Sequence, residues 1–227
     1  MARRDYQESL EKLRADVETM GELVLSRLDK ALYALEHADA EAARSVIEGD
    51  AEINEQYLDL ESVCIDLFAL QQPVAGDLRF IAASFKIITD LERIGDLAAN
   101  IGEYALAADE EWTADEELFE IGSAARDLVA DALDAYVTGN AEACYRIEAR
   151  DDQIDARCQS VGERVVRELV EQNGAEENES AWDTEAVLED VSRVLLTVRD
   201  LERVADHGVN ITARTLYLVE ANPELID

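Results

Sequence analysis

Proline is almost missing from this sequence, with two residues, and glycine is sparse, with ten in a chain of 227. So few helix breakers argue against a turn-rich fold, and the many Ala, Leu and Glu favour long helices. Cysteine occurs three times (Cys64, Cys144, Cys158), an odd number with no CxxC spacing. That suggests neither a disulfide framework nor a zinc cluster. Cys64 and Cys158 fall on apolar stripes and read as core residues. Bases are scarce: 20 Lys and Arg against 53 acids give a net charge of −33, and only Lys12, Lys30 and Lys86 are lysines. A chain of that sign repels nucleic acid. Its self-repulsion fits a very salty cytosol, so a halophilic source is expected; the rival reading is an acidic surface for a basic partner. No apolar run approaches the ~18 residues that span a membrane. The opening MARRDYQESL carries no signal-peptide core, so a cytoplasmic protein is expected.

What is present is helical periodicity. The pattern predicts helices over residues 5–37, 40–70, 74–107, 116–137, 141–172 and 184–219. Asp39 is placed to cap the second helix. Gln72-Pro73, the acidic segment with Trp112, Thr138-Gly139-Asn140, and Asn173-Gly174 with the polar stretch after it read as connections. Trp112 and Trp182 read as anchors for their loops, and His37 as a helix-end residue suited to the dipole there. Residues 30–43 (KALYALEHADAEAA) and 131–144 (DALDAYVTGNAEAC) share one pattern. The fold read from this is all-α: two tandem three-helix bundles, residues 1–109 and 110–227, related by an internal repeat.

The strongest repeated signal is DLERIGDLAANI at residues 90–101, returning as DLERVADHGVNI at 200–211. Each copy carries acids at i and i+4, Glu92 with Asp96 and Glu202 with Asp206, which a helix stacks on one face. Leu78, Ile81, Phe85 and Ile88 lead in helical period to Glu92, and Leu188, Val191, Leu195 and Val198 lead to Glu202. An acid thus interrupts a stripe that should face a core, where an ionised carboxylate is costly unless paired or metal-bound.

The preceding helix of each half supplies partners. Asp50, with Asn54 at i+4, interrupts Val46, Ile53, Tyr57 and Leu60; Asp151, with Asp155 at i+4, interrupts Ile147, Ile154 and Cys158. Counting back from the hairpin turns sets Asn54 level with about Arg93 and Asp50 with about Leu97. In the second half Asp155 falls opposite about Asp200, and Asp151 opposite about Val204. Oxygen-bearing side chains meeting in a dry seam call for a cation, and hard donors suit Mg²⁺, Ca²⁺, Mn²⁺ or iron better than a structural zinc site. The competing reading is a set of solvated faces on an acid-rich protein. Arg93 and Arg203 read as i, i+3 partners of Asp90 and Asp200, or else as anion or partner contacts. Asn100 and Asn210, about 80° around the helix from the glutamates, are candidates to orient a water or cap the site. His207 reads as a surface or interhelical residue.

With ERIGD and its following Asn-Ile present twice, and QQPVAGDLRFIAASFKIITDLERIGDLAANI at residues 71–101, the chain resembles the PhoU family along essentially its whole length. The resemblance implies two tandem three-helix bundles whose motifs bind multinuclear metal clusters, iron among them. Those motifs fall here on Glu92, Asp96, Glu202 and Asp206, with Asp50, Asn54, Asp151 and Asp155 on the preceding helices. Carboxylate-bound divalent or trivalent ions (iron, manganese, magnesium, calcium or zinc) are the expected cofactors. The resemblance also implies negative regulation of phosphate uptake through the components of a phosphate ABC transporter and, in bacteria, a sensor kinase. Membrane association would come only through the transporter, and a homodimer is expected. Family copies often have His after the final motif Asp, which His207 matches and Leu97 does not. Asn54 stands where the second half has Asp155, so the second site is expected to be the more anionic.

The alternative function is a di-metal carboxylate enzyme, an oxidase or phosphohydrolase. Ferritin-like di-iron bundles use Glu-x-x-His; neither His37 nor His207 has Glu three places before it, and no Gly-rich phosphate loop occurs.

Overall fold

The computed structural model describes residues 2–70, 75–108, 116–175 and 181–221, with side chains over 4–69, 75–108, 116–171 and 187–221. Six helices follow in order: α1 (Ala2–His37), α2 (Ala40–Leu70), α3 (Ala75–Leu106), α4 (Glu116–Thr138), α5 (Ala141–Ala175) and α6 (Ala181–Glu220). Among the described residues there is no strand. α5 continues through Asn173-Gly174, where the sequence suggested a stop. Those two residues cost roughly 1–2 kcal/mol inside a helix, which a helix 35 residues long absorbs. The Gln72-Pro73 break, the 109–115 connection with Trp112, and the side chain of Trp182 lie outside the described residues.

The α1–α2 and α4–α5 turns show how local sequence ends one helix and starts the next. Ala38 and Gly139 both take positive φ, 49° and 67°. The amide after each bonds back into its helix, Asp39 N to Ala34 O at 3.1 Å and Asn140 N to Ala135 O at 3.0 Å. That is the left-handed stop glycine makes cheaply and alanine does not. Asp39 Oδ1 then accepts from Glu41 N and Ala42 N, each at 3.0 Å, and Asn140 Oδ1 accepts from Ala143 N at 3.1 Å. Side-chain acceptors of this kind satisfy the free amides that open a helix. His37 Nδ1 lies 3.0 Å from Tyr33 O, and its ring stacks on Tyr33 at the end of α1.

α1, α2 and α3 pack on one another, and so do α4, α5 and α6. The two bundles meet where α3 packs on α6 and α1 on α4, and buried residues of all six helices form one continuous core. The predicted α1 stripe, Leu10, Leu13, Val17, Val24, Leu28, Ala31 and Leu35, is buried throughout. The three cysteines are buried and unbridged, with thiols pushed up to about 12, 11 and 12 by burial (Cys64, Cys144, Cys158), so they are unreactive core residues.

Two stripe residues depart from expectation: Leu78 and Leu188 are 45% and 48% exposed. Periodicity places them in line with the core. They sit, however, toward the start of α3 and of α6, on the side where no further helix covers them.

The contacts between the halves obey the repeat. Gly21 on α1 lies against Leu133 of α4, and Gly122 on α4 lies against Leu32 of α1; a Cβ at either glycine would sit 2.7 or 2.5 Å from the leucine methyl. The shift that carries Gly21 to Gly122 also carries Leu32 to Leu133. The interface is therefore pseudo-twofold, with each half giving a glycine and receiving a leucine.

Candidate metal centre

The acids of neighbouring helices converge in both halves. In the second half, ligating oxygens of Asp151, Asp155 and Asp206 all lie within 4.8 Å of one another. Burial, then the charges of Asp155, Asp206, Asp152 and Glu202, push the Asp151 carboxyl up to about 7. Burial and then Asp155 and Asp206 raise Glu202, while burial and then Asp206 and Asp152 raise Asp155. All four residues expected from the sequence therefore share one electrostatic field, joined by Asp152, which periodicity alone did not mark.

In the first half Asp50 is raised by burial and by Asp96, offset by a hydrogen bond from Asn54 Nδ2 to Asp50 Oδ2 at 2.8 Å. Glu92 is raised by burial, Asp96 and Asp50, and lowered by Arg93 and His207. Arg93 straddles the motif, with Nε 3.4 Å from Glu92 and Nη1 3.2 Å from Asp96. Among the described residues only Asp151, Asp155 and Asp206 bring three such ligands within 4.8 Å. Two first-half residues keep it from matching: Asn54 replaces an acid, and Arg93 draws Glu92 and Asp96 toward itself.

The expectation of a dry seam is corrected by the burial pattern. Asp50, Glu92, Asp96, Asp151 and Glu202 are half-buried, while Asp155 and Asp206 are exposed. Each cluster is a half-open cleft with a buried floor. One oxygen in each floor is telling: Asp50 Oδ1 and Asp151 Oδ1 are buried and accept no hydrogen bond from any described residue. These two atoms are repeat equivalents. Hard oxygens, lone pairs without donors and mutual repulsion make a donor set that suits a hard cation.

Other motif residues do different work. Asp90 lies about 200° around the helix from Glu92, and it faces the other half rather than the cluster. Asp90 Oδ1 lies 2.9 Å from His207 Nδ1 and accepts from Asn210 Nδ2 at 3.4 Å. Reciprocally, Asp200 Oδ2 accepts from Asn100 Nδ2 at 3.3 Å and Tyr104 Oη at 2.9 Å. Asp200 has 0% exposure and also receives Arg199 on Oδ1, at 3.0 and 2.9 Å. Since residues near 90 meet residues near 210, and those near 200 meet those near 100, α3 and α6 run antiparallel.

Asn100 and Asn210 thus clasp the opposite repeat, and Asn100 also lines the cavity beside its own cluster. His207 is interhelical, as expected. The proposed i, i+3 pairing holds loosely for Arg203 with Asp200, at 3.9 Å, while Arg93 turns to Glu92 and Asp96. The signal for the clasp was in the sequence: Asp and Asn recur at the same places in both copies, off the carboxylate face. A cavity of about 380 Å³ opens beside the first cluster, lined by Asp50, Arg93, Asp96, Asn100, Glu103 and Arg203 among others.

Comparison with known proteins gives this arrangement a family. The PhoU domain model matches twice, over residues 17–105 and 118–215. The chain belongs to the PhoU family. A phosphate-specific transport system accessory protein PhoU homolog from Clostridium acetobutylicum is 32% identical over 222 residues, covering 96% of each chain. The crystal structure of the phosphate transport system regulatory protein PhoU from Streptococcus pneumoniae superposes with a TM-score of 0.84 at 31% identity, covering 98% of this chain and 99% of that one. PhoU from Pseudomonas aeruginosa gives the same TM-score at 30% identity, covering 96% of this chain and all of that one. The two matches of the family model fall one on each half, so the PhoU repeat and the structural repeat coincide.

Proposed function

We propose that this PhoU family member is a non-enzymatic accessory regulator of a phosphate-specific transport system, with a carboxylate cation site in each half. The transport role rests on the relatives, which are named as accessory and regulatory proteins of that system. The cation sites rest on geometry, above all on the two buried, donorless oxygens of Asp50 and Asp151 at equivalent places. In the second half Asp151, Asp155, Glu202 and Asp206 would hold the ion; in the first, Asp50, Glu92 and Asp96 with Asn54. A bound cation would neutralise the carboxylates and tie α2 to α3 and α5 to α6.

His207 is engaged by Asp90, which leaves both clusters without a histidine ligand and supports regulation over di-metal redox catalysis. No helix among the described residues is long and apolar enough to cross a membrane. By analogy with those accessory proteins, the reading has the protein in the cytoplasm, at the membrane only through transporter components, with a sensor kinase or other regulator as a further partner and with itself as a homodimer. The acid excess extends it to a cytosol of high ionic strength, where screening relaxes self-repulsion.

Phosphate uptake in a deletion strain tests the role. Uptake should escape control by external phosphate and regain it on complementation with the intact chain. Uptake and signalling that are unchanged on deletion would overturn the reading.

A further inference from the structure

The shift that carries Gly21 to Gly122 and Asp50 to Asp151 also lays the α1–α2 groove over the α4–α5 groove, and the two are filled differently. In the second half two ion pairs cross from α5 to α4: Arg157 Nη1 lies 3.2 Å from Glu120, and Arg164 Nη1 lies 2.9 Å from Glu117. Their first-half counterparts are Gln56 with Thr19 and Val63 with Asp16, which can form no salt bridge. In place of the bridges a cavity of about 430 Å³ opens between α1 and α2, lined by Lys12, Asp16, Gln56, Asp59, Val63 and Asp66 among others.

Residues 56, 59, 63 and 66 share one face of α2. That face reads Gln, Asp, Val, Asp, where α5 reads Arg157, Ser160, Arg164, Arg167. Three guanidinium groups are missing from the first groove, and two carboxylates are added. Lys12 is the lone base of the lining, against three aspartates. Asp16, Asp59 and Asp66 take part in no salt bridge among the described residues. Gln56 Oε1 is buried and accepts no hydrogen bond from any described residue, a costly state for a polar atom. The aspartates do not converge as metal ligands would: among the described residues only Asp151, Asp155 and Asp206 bring three ligating oxygens within 4.8 Å. A bare metal ion therefore fits this groove poorly. A longer cation with several N–H donors fits it better, because its donors reach separate acceptors while its stem lies on Leu60 and Val63. The second half fills the same place with guanidinium groups of its own.

We propose that the α1–α2 groove binds a small aliphatic cation with a guanidinium head, one per chain, where arginine side chains lie in the second half. The head stands opposite Asp16, as Arg164 stands opposite Glu117. This inference needs neither a metal nor the transport role.

The test is calorimetric titration with agmatine, a guanidinium and an ammonium joined by a short alkyl chain, at the lowest KCl concentration that keeps the helical circular dichroism signal intact. Controls are butylurea, which is uncharged, and choline, a cation without N–H donors. Agmatine should bind one per chain, and both controls at least about tenfold more weakly. Asp59→Asn with Asp66→Asn should weaken it about tenfold. Asp134→Asn with Glu148→Gln, an equal charge change at exposed positions of the second half, should leave it unchanged. Val63→Arg brings the second half's own arginine opposite Asp16. It should abolish agmatine binding and raise Tm by about 1–3 °C. Because this variant adds a contact, it decides the matter even where the aspartate variants fail to fold.

No binding, binding no tighter than that of choline, or full binding by the Asp59→Asn/Asp66→Asn or Val63→Arg variants overturns the proposal. So does tighter binding of a blocked Ala-Arg-Ala peptide than of agmatine, because the groove would then belong to a side chain of a partner protein.

Discussion

The two carboxylate clusters are built from the same motif, yet they solve the problem of crowded acids differently. The first dilutes its charge with chain-derived groups: Asn54 donates to Asp50, and Arg93 reaches both Glu92 and Asp96. In the second, Asp155 stands for Asn54, and Arg203, the equivalent of Arg93, lies near Asp200 instead. The result is a trio within 4.8 Å and an Asp151 carboxyl pushed up to about 7. A repeated motif thus fixes where acids are placed, while its neighbours decide how much they need a counter-ion.

The strongest way to break the comparison is to exchange the residue that differs. Asn54→Asp should tighten cation binding in the first half and Asp155→Asn should weaken it in the second, each by roughly tenfold or more by analogy with losses at metal-site supporting residues. Calorimetric titration with Mn²⁺ reads both changes. Unaltered affinities would mean that the two positions do not face the ion.

Proton linkage gives the next largest contrast. In chelator-treated protein the Asp151 carboxyl, with an ordinary value of 3.8, holds its proton until about pH 7 in the folded chain. The unfolded chain ionises first, so this group's stabilising contribution is full below about pH 4 and is lost as pH rises to about 7. Thermal melts should therefore show wild type losing stability over that window relative to Asp151→Asn. Added metal should reverse the trend, because it binds the ionised form. Equal slopes for wild type and variant would contradict the assignment.

The clasps differ in the same graded way. Asp200 is fully buried and takes donors from Asn100, Tyr104 and Arg199, whereas Asp90 is less buried and has His207 and Asn210. Asp200→Ala should cost about 3 kcal/mol and Asp90→Ala about 1–2 kcal/mol in urea unfolding. Equal costs would show that the two ends of the α3–α6 contact are equivalent after all.

The smallest effect lies at the turns. Ala38 and Gly139 share the left-handed conformation. Ala38→Gly should stabilise the fold by about 1 kcal/mol and Gly139→Ala should destabilise it by a similar amount. Calorimetric melts check both signs.

How much of this was legible follows from what each signal encodes. Asp39 and Thr138-Gly139-Asn140 announced their turns because capping is local chemistry. Glu92, Glu202, Asp50 and Asp151 stood out because they broke apolar periods, and hairpin counting brought them together. The cross-repeat partners of Asn100 and Asn210 were not legible because an angle on one helix says nothing about which other helix packs there; those partners are 100 and 120 residues away. Leu78 and Leu188 kept the period of the core, but period cannot show where covering helices are missing. Arg199 on Asp200 had no periodic signal at all.

Elemental analysis of protein purified from its own host, alongside Asp151→Asn with Asp206→Asn, tests the central claim most directly. A hard cation should copurify with the intact chain, and the second-half share should disappear in the double variant while the helical fold persists. A folded wild-type chain that carries no metal and takes up none on titration would contradict it.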